Sequence, residues 1–253
     1  LADFLLQHHY PELQNAAQPY AALLREICER TAKLIAQWQS VGFMHGVMNT
    51  DNMSVLGLTL DYGPFGFMDG YDAQHICNHS DTSGRYRYAQ QPQIGQWNCH
   101  ALAQAMLPLI GDVETTQEAL STYVPCFETH YRDLMLAKLG LVSTDAATRQ
   151  QDVSLLEDYL DLMAHNRSDY TLSFRKLSQI SCDHDTGASG IATLQQQNRA
   201  VLDLFLDRDS VQTWLQHYRT RLQQQVGDTS TRQQAMNQVN PKFILRNHLA
   251  QQA

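Results

Sequence analysis

The stretch HGVMNTDNMSVLGLTLDYG, residues 45–63, decides how the rest of the chain is read. Within it, Val55 to Leu60 is apolar and partly β-branched around Gly57, a pattern for two very short strands joined by a tight turn. Such a hairpin carries Asn52 at one end and Asp61 at the other. An amide oxygen and a carboxylate converging from neighbouring strand ends are hard donors, suited to Mg²⁺ or Mn²⁺ bridging nucleotide phosphates. The plainer alternative is that Asn52 caps a turn and Asp61 opens one, which both residue types do routinely. Asp51, beside Asn52, stands where it could take a proton from an incoming hydroxyl; otherwise it is a solvent-facing carboxylate in a turn. His45, following Gly42-Phe43-Met44, reads as a packed, hydrogen-bonded core residue.

Upstream, Leu23, Leu24, Ile27, Cys28, Leu34, Ile35, Trp38 and Val41 recur at spacings of three and four and stop at Gly42, which predicts an amphipathic helix over 20–41. Downstream, residues 62–95 are rich in Gly, Pro, Asp, Asn and Tyr without a sustained period. A loop that long inside a compact domain is usually functional. Beyond Pro92 the pattern is helical, with helices expected near 94–109, 114–139, 152–178, 210–225 and 241–253. The last would have Asn240 as its cap and Pro241 at its first position. Asp145 to Gln151 and Asp183 to Asn198 read as polar connectors. The fold class expected is mainly α (α+β), a single domain over 1–253 with a core to about residue 140 and a helical extension over 141–253.

The composition bounds what such a chain can do. Its 253 residues are 43% hydrophobic, enough for a sizeable core, and carry a formal charge of -8 with no Lys/Arg cluster, so no nucleic acid is expected as a partner. No apolar run approaches the ~20 residues of a membrane span, and no basic-then-apolar leader is visible, so no membrane association is expected. Five scattered cysteines without a C-x-x-C pair suit free thiols in a reducing compartment, the bacterial cytoplasm by default. His75, Cys77 and His79 crowd into five residues with no partner cluster, which is poor spacing for zinc. The chain opens at Leu1 in apolar-periodic sequence and reads as a piece of a longer protein.

A protein-kinase catalytic loop reads H-R-D-L-x-x-x-N, with D-F-G downstream as a second metal ligand. Here His45 and Asn52 keep that spacing and Asp61-Tyr62-Gly63 follows, while Val47 stands where the catalytic base would be. Together with "ICNHSD", "GRY", "QPQIGQWN" and "NPKFILRNHLAQQA", this stretch resembles the SelO (YdiU) family of pseudokinases, over essentially the whole chain.

The resemblance implies a protein-kinase-like C-lobe that binds ATP flipped and transfers AMP to Ser, Thr or Tyr hydroxyls of protein substrates. It makes Asp51 the proton acceptor, and Asn52 and Asp61 the metal ligands, with Asp61 thereby on the bound nucleotide. It also implies that the N-lobe lies outside this chain. There is no G-x-G-x-x-G, and Lys33, Lys138, Lys176 and Lys242 all sit in helical contexts. The chain alone is therefore expected to be inactive, with apolar residues such as Phe65 and Phe67 around Tyr62 to Met68 either uncovered or buried in a chain-to-chain contact. The selenocysteine some members carry near the C-terminus is absent. Two alternatives stand beside the adenylyltransferase reading: a phosphotransferase of the aminoglycoside or choline kinase type, which Val47 disfavours, and a non-catalytic pseudokinase scaffold, which intact Asn52 and Asp61 disfavour.

Overall fold

The computed structural model describes residues 1–181, 196–225 and 227–252. Among the described residues the chain is mainly helical with one two-stranded sheet. In chain order it comprises α1 (Ala2–His8), α2 (Pro19–Val41), β1 (Phe43–Met44), β2 (Gly66–Phe67), α3 (Gln91–Ile110), α4 (Val113–Ser121), α5 (Tyr123–Leu139), α6 (Ala146–Asn166), α7 (Tyr170–Leu177), α8 (196–202), α9 (Arg208–Gln223), α10 (Thr229–Val239) and α11 (Asn247–Gln252). The chain divides into two compact units, 1–66 with 74–131, and 67–73 with 132–253. Among the described residues no helix is long and apolar enough to cross a membrane.

In the first unit α2 is the spine. It starts with Pro19 in its first turn, ends where Gly42 takes φ 69°, and buries Leu23, Leu24, Ile27, Cys28, Ile35 and Trp38, the stripe its spacing predicts. α3 crosses it, and Tyr123 at the start of α5 ties to α3 by donating its hydroxyl to the Pro92 carbonyl at 2.8 Å. The expected helix over 114–139 is two helices: α4, whose first turn is capped by the Asp112 carboxylate accepting from Thr115 N, stops at Thr122 before α5 begins.

The expected hairpin is smaller than its sequence suggests. Only one antiparallel bridge forms, Met53 to Thr59, because residues 54–57 are spent on the turn: Ser54 O accepts from Gly57 N and Ser54 Oγ from Leu56 N. Gly57 has φ +70°, and a Cβ there would lie 2.8 Å from Arg30 Cβ, so the turn is pressed against α2. The sheet itself pairs β1 with β2 instead.

In the second unit, α6, α7, α9 and α10 each begin at an aspartate, Asp145, Asp169, Asp207 and Asp228, whose side chain accepts from the backbone N–H three residues on. Asp145 to Gln151, expected to be a connector, is thus a cap and the first turn of α6. The expected helix over 152–178 breaks at Arg167, which takes φ 48°, so that Ser168 O can accept from Tyr71 N and Tyr170 N can donate to Asp69 O. α6 and α9 meet through the Tyr159 ring stacked on Trp214 at 4.3 Å, and within α9 Trp214 stacks in turn on Tyr218 at 5.0 Å. Beside them Arg221 holds the fully buried Asp152 through two bonds of 2.6 and 3.0 Å, and Ser143 donates to the same carboxylate. Removing one partner would leave the other charge stranded, which is why such pairs are costly to break.

Asn240 is a helix end and not a helix start. It closes α10, is fully buried, and donates Nδ2 to the Lys138 carbonyl at 2.9 Å, while Arg175 binds the carbonyls of Asn237 and Asn240. Pro241 follows because it cannot continue the helix that stops there, and the C-terminal helix begins only at Asn247. The second expected connector, Asp183 to Asn198, lies outside the described residues up to residue 195, and 196–198 are helical.

Lys138 is 2% exposed, with its ammonium 4.6 Å above the Phe174 ring. Burial pushes its pKa down to about 7 from 10.5. Between those values the unfolded chain holds a proton that the folded chain lacks, so this residue makes stability rise with pH, and its full cost is present below about pH 7. Lys138→Met is expected to be more stable than the parent at pH 6.5, by a few kcal/mol, with the advantage shrinking as pH rises to 9. Urea unfolding of both chains across that range reads the difference.

Candidate active site

After α2 the chain runs through the two strand residues of β1 into irregular backbone over 45–49 that is nevertheless largely buried. Buried peptide groups must find partners, and here they find them in side-chain amides. Gln91, at the start of α3, accepts from His45 N through Oε1 at 2.9 Å and donates Nε2 to Phe43 O at 2.9 Å. Asn78 donates to Gly46 O at 3.1 Å, Asn52 to Val47 O at 3.0 Å and Asn98 to Met48 O at 2.9 Å. Tyr86 donates its hydroxyl to the Asn49 side-chain oxygen. Gly46 has φ +85°, and a Cβ would meet Cys77 Sγ at 2.9 Å and Pro64 O at 3.0 Å, so no larger residue fits the bend.

His45 extends this network to the next segment. It is 1% exposed and lies on the Trp38 indole at 5.3 Å between ring centres. Its Nδ1 accepts from Val47 N at 3.3 Å, which assigns the proton to Nε2, and Nε2 donates to Leu60 O at 2.6 Å. The imidazole is therefore a strut between the loop and the residue before Asp61, as its sequence context predicts.

The candidate site residues Asp51, Asn52 and Asp61 come next in the chain after this frame. Asp51 and Asn52 lie in a single 3₁₀ turn, Thr50–Asn52, closed by Asn52 N donating to Asn49 O at 3.0 Å. Because Asn52 spends its amide nitrogen on Val47 O, its carbonyl oxygen is the atom left to face a ligand. The Met53–Thr59 bridge ties the residue after this turn to the segment that leads to Asp61. Asp51 and Asp61 are both exposed, and Asp61 adopts φ 56°, a left-handed conformation uncommon outside glycine and found disproportionately at functional sites. An oxygen-only pair of this kind fits a hard divalent ion whose remaining positions go to water and phosphate. Among the described residues no group of three or more His, Cys, Asp or Glu could hold a metal on its own. That includes the His75, Cys77 and His79 run: burial pushes the Cys77 thiol up to about 11, and it points to the Met44 carbonyl.

Around the site, Phe65 is half-buried and not uncovered, packed against Tyr62 at 5.3 Å and Phe43 at 6.0 Å, and Phe67 is likewise half-buried. The exposed apolar side chains are Leu58, Leu60 and Tyr62. The residues that sequence reasoning left without a role are Gln91, Asn98, Asn78 and Tyr86. A signal for two of them was present, since Gln91, Ile94, Gly95 and Asn98 fall at i, i+3, i+4 and i+7 and place two amides on a helix's buried face. Gln91→Leu would strand the His45 N–H and the Phe43 carbonyl, and is expected to destabilise the chain by about 2–4 kcal/mol. Gln93→Leu, on the exposed side of the same turn, is expected to change stability by less than about 0.5 kcal/mol; denaturant midpoints compare the two.

The family described as "Protein adenylyltransferase SelO" matches residues 1–253. "Protein nucleotidyltransferase YdiU" of Herminiimonas arsenicoxydans is 51% identical over 252 residues, covering 99% of this chain and 47% of that protein. The protein of the same name from Ralstonia nicotianae is 52% identical over 272 aligned positions, covering 99% of this chain and 49% of its own length. That from Burkholderia multivorans is 48% identical over 267, covering all of this chain and 48% of its own. The chain thus spans about half the length of the curated relatives it matches, and it belongs to the SelO family.

Proposed function

We propose that this chain is the metal-binding and proton-accepting half of a bacterial cytoplasmic protein adenylyltransferase, which moves AMP from ATP to Ser, Thr or Tyr hydroxyls of protein substrates. The observation that carries the reading is the Asn52 amide, whose nitrogen is spent on Val47 O so that its oxygen remains for a ligand, in a turn that the Met53–Thr59 bridge ties to the segment leading to Asp61. The relatives' printed name, protein nucleotidyltransferase, supports the reaction class. The order of a long helix, a buried histidine loop, a minimal hairpin and a crossing helix supports a kinase-like C-lobe as its setting.

In this reading Asn52 and Asp61 would hold Mg²⁺ or Mn²⁺ when ATP is bound. The bound ion supplies charge neutralisation on the phosphate oxygens. Asp51 accepts the proton from the substrate hydroxyl as its oxygen bonds to the α-phosphorus and pyrophosphate leaves with the electrons of the broken P–O bond. Val47 cannot take that proton, and its backbone is already engaged by His45 and Asn52. Two protein ligands are few for Mg²⁺, which then depends on well-held phosphates. The isolated chain is accordingly expected to bind ATP weakly and to show no transfer.

Incubation of the full-length protein with ATP labelled at the α- or the γ-phosphate tests this. Protein should acquire the α-label only. Asp61→Ala should abolish transfer with the fold retained, and Asp51→Ala should slow it by about 10²–10⁴ with nucleotide binding much less affected. Transfer of the γ-label would favour a phosphotransferase, and no label with either would favour a scaffold.

A further inference from the structure

The turn bearing Asp51 and Asn52 is held from within by α3 and by its own Asn52, but on its exposed side it is held by the segment 78–86. Asn78 of that segment donates to Gly46 O at 3.1 Å, and Tyr86 donates to the Asn49 side chain. Asn49 is the residue at which the turn starts, and its carbonyl accepts from Asn52 N. A hydrogen bond between exposed side chains usually contributes little, because both partners give up rotational freedom to make it. Tyr86 differs in being fixed before it reaches Asn49.

Three contacts do this. The Asp81 carboxylate accepts from Tyr86 N at 2.7 Å, from Arg85 N at 3.0 Å and from Ser83 Oγ at 3.2 Å, folding 81–86 into a tight bracket. Partial burial would raise the Asp81 pKa, but these bonds outweigh it and hold the carboxyl below its usual range. The Arg85 guanidinium lies over the Tyr86 ring at 5.7 Å and over the Trp97 indole of α3 at 4.9 Å, so the phenol is braced from its other side. The freedom lost on bonding Asn49 is largely lost already.

We propose that Tyr86 is a positioning residue for nucleotidyl transfer, its hydroxyl setting through Asn49 the orientation of the turn that presents Asp51 and Asn52. The inference rests on the roles given to those two residues above. Tyr86 touches neither nucleotide nor acceptor in this account, and Asn78 shares the task at Gly46.

Tyr86→Phe removes the donor and keeps the ring and its stacking. In the full-length protein, kcat for α-label transfer should fall about 10- to 100-fold, with KM for ATP within about twofold and the melting temperature within about 2 °C of the parent. Asn49→Ala should give a similar loss, and the double variant should lose no more than the worse single one. Independently of activity, amide exchange at Asn52 should accelerate about tenfold in Tyr86→Phe. Unchanged kcat, losses that multiply in the double variant, or a drop in melting temperature that accounts for the lost activity would each overturn the proposal. If the parent transfers no label but exchange at Asn52 still accelerates, the functional reading fails while the mechanical link stands; if exchange does not change, the link fails as well.

Discussion

The site depends on one constraint, that past the two strand residues Phe43 and Met44 the irregular backbone of 45–49 lies largely buried and must have its polar groups paired. A helix or sheet would pair them internally, but a loop cannot. Amide side chains do it here: Gln91 covers one N–H and one carbonyl, and Asn78, Asn52 and Asn98 each take a successive carbonyl. An amide suits the task because it offers a donor and an acceptor without the desolvation cost of a buried charge. α3 therefore carries polar residues on its buried face, and Gly46 leaves no room for a Cβ.

From that constraint the placement of the chemistry follows. Asn52 serves the frame with its nitrogen and is left with its oxygen for a ligand. His45, with Nδ1 occupied by Val47 N, can only donate from Nε2, and by doing so it fixes Leu60 beside Asp61. The residues with exposed carboxylates, Asp51 and Asp61, contribute nothing to the buried frame. Such a division lets the frame be stable without calling on the exposed carboxylates.

The sequence disclosed those parts that obey a period or a spacing. α2, its stop at Gly42 and the start of helix near Pro92 follow from apolar repetition and punctuation. What stayed hidden was decided by contacts far along the chain. The break at Arg167 exists because residues 69–71 pair with 168–170, and Asn240 ends a helix because Lys138 and Arg175 bind it. α10 escaped notice because it buries only Arg232 and Met236, too few apolar positions to show a period. The amide roles were hidden because Gln and Asn are read as surface residues until the carbonyls they serve are seen.

The central claim is that this frame aims the Asn52 oxygen and the Asp61 carboxylate at one divalent ion. The most direct test is a crystal structure of the full-length protein with Mn²⁺ and a non-hydrolysable ATP analogue, the metal located by its anomalous scattering. The account predicts Mn²⁺ bound by Asn52 Oδ1 and an Asp61 carboxylate oxygen at about 2.0–2.3 Å, with phosphate oxygens completing the shell and Asp51 outside it. A nucleotide-bound metal that has neither Asn52 nor Asp61 as a ligand would contradict it.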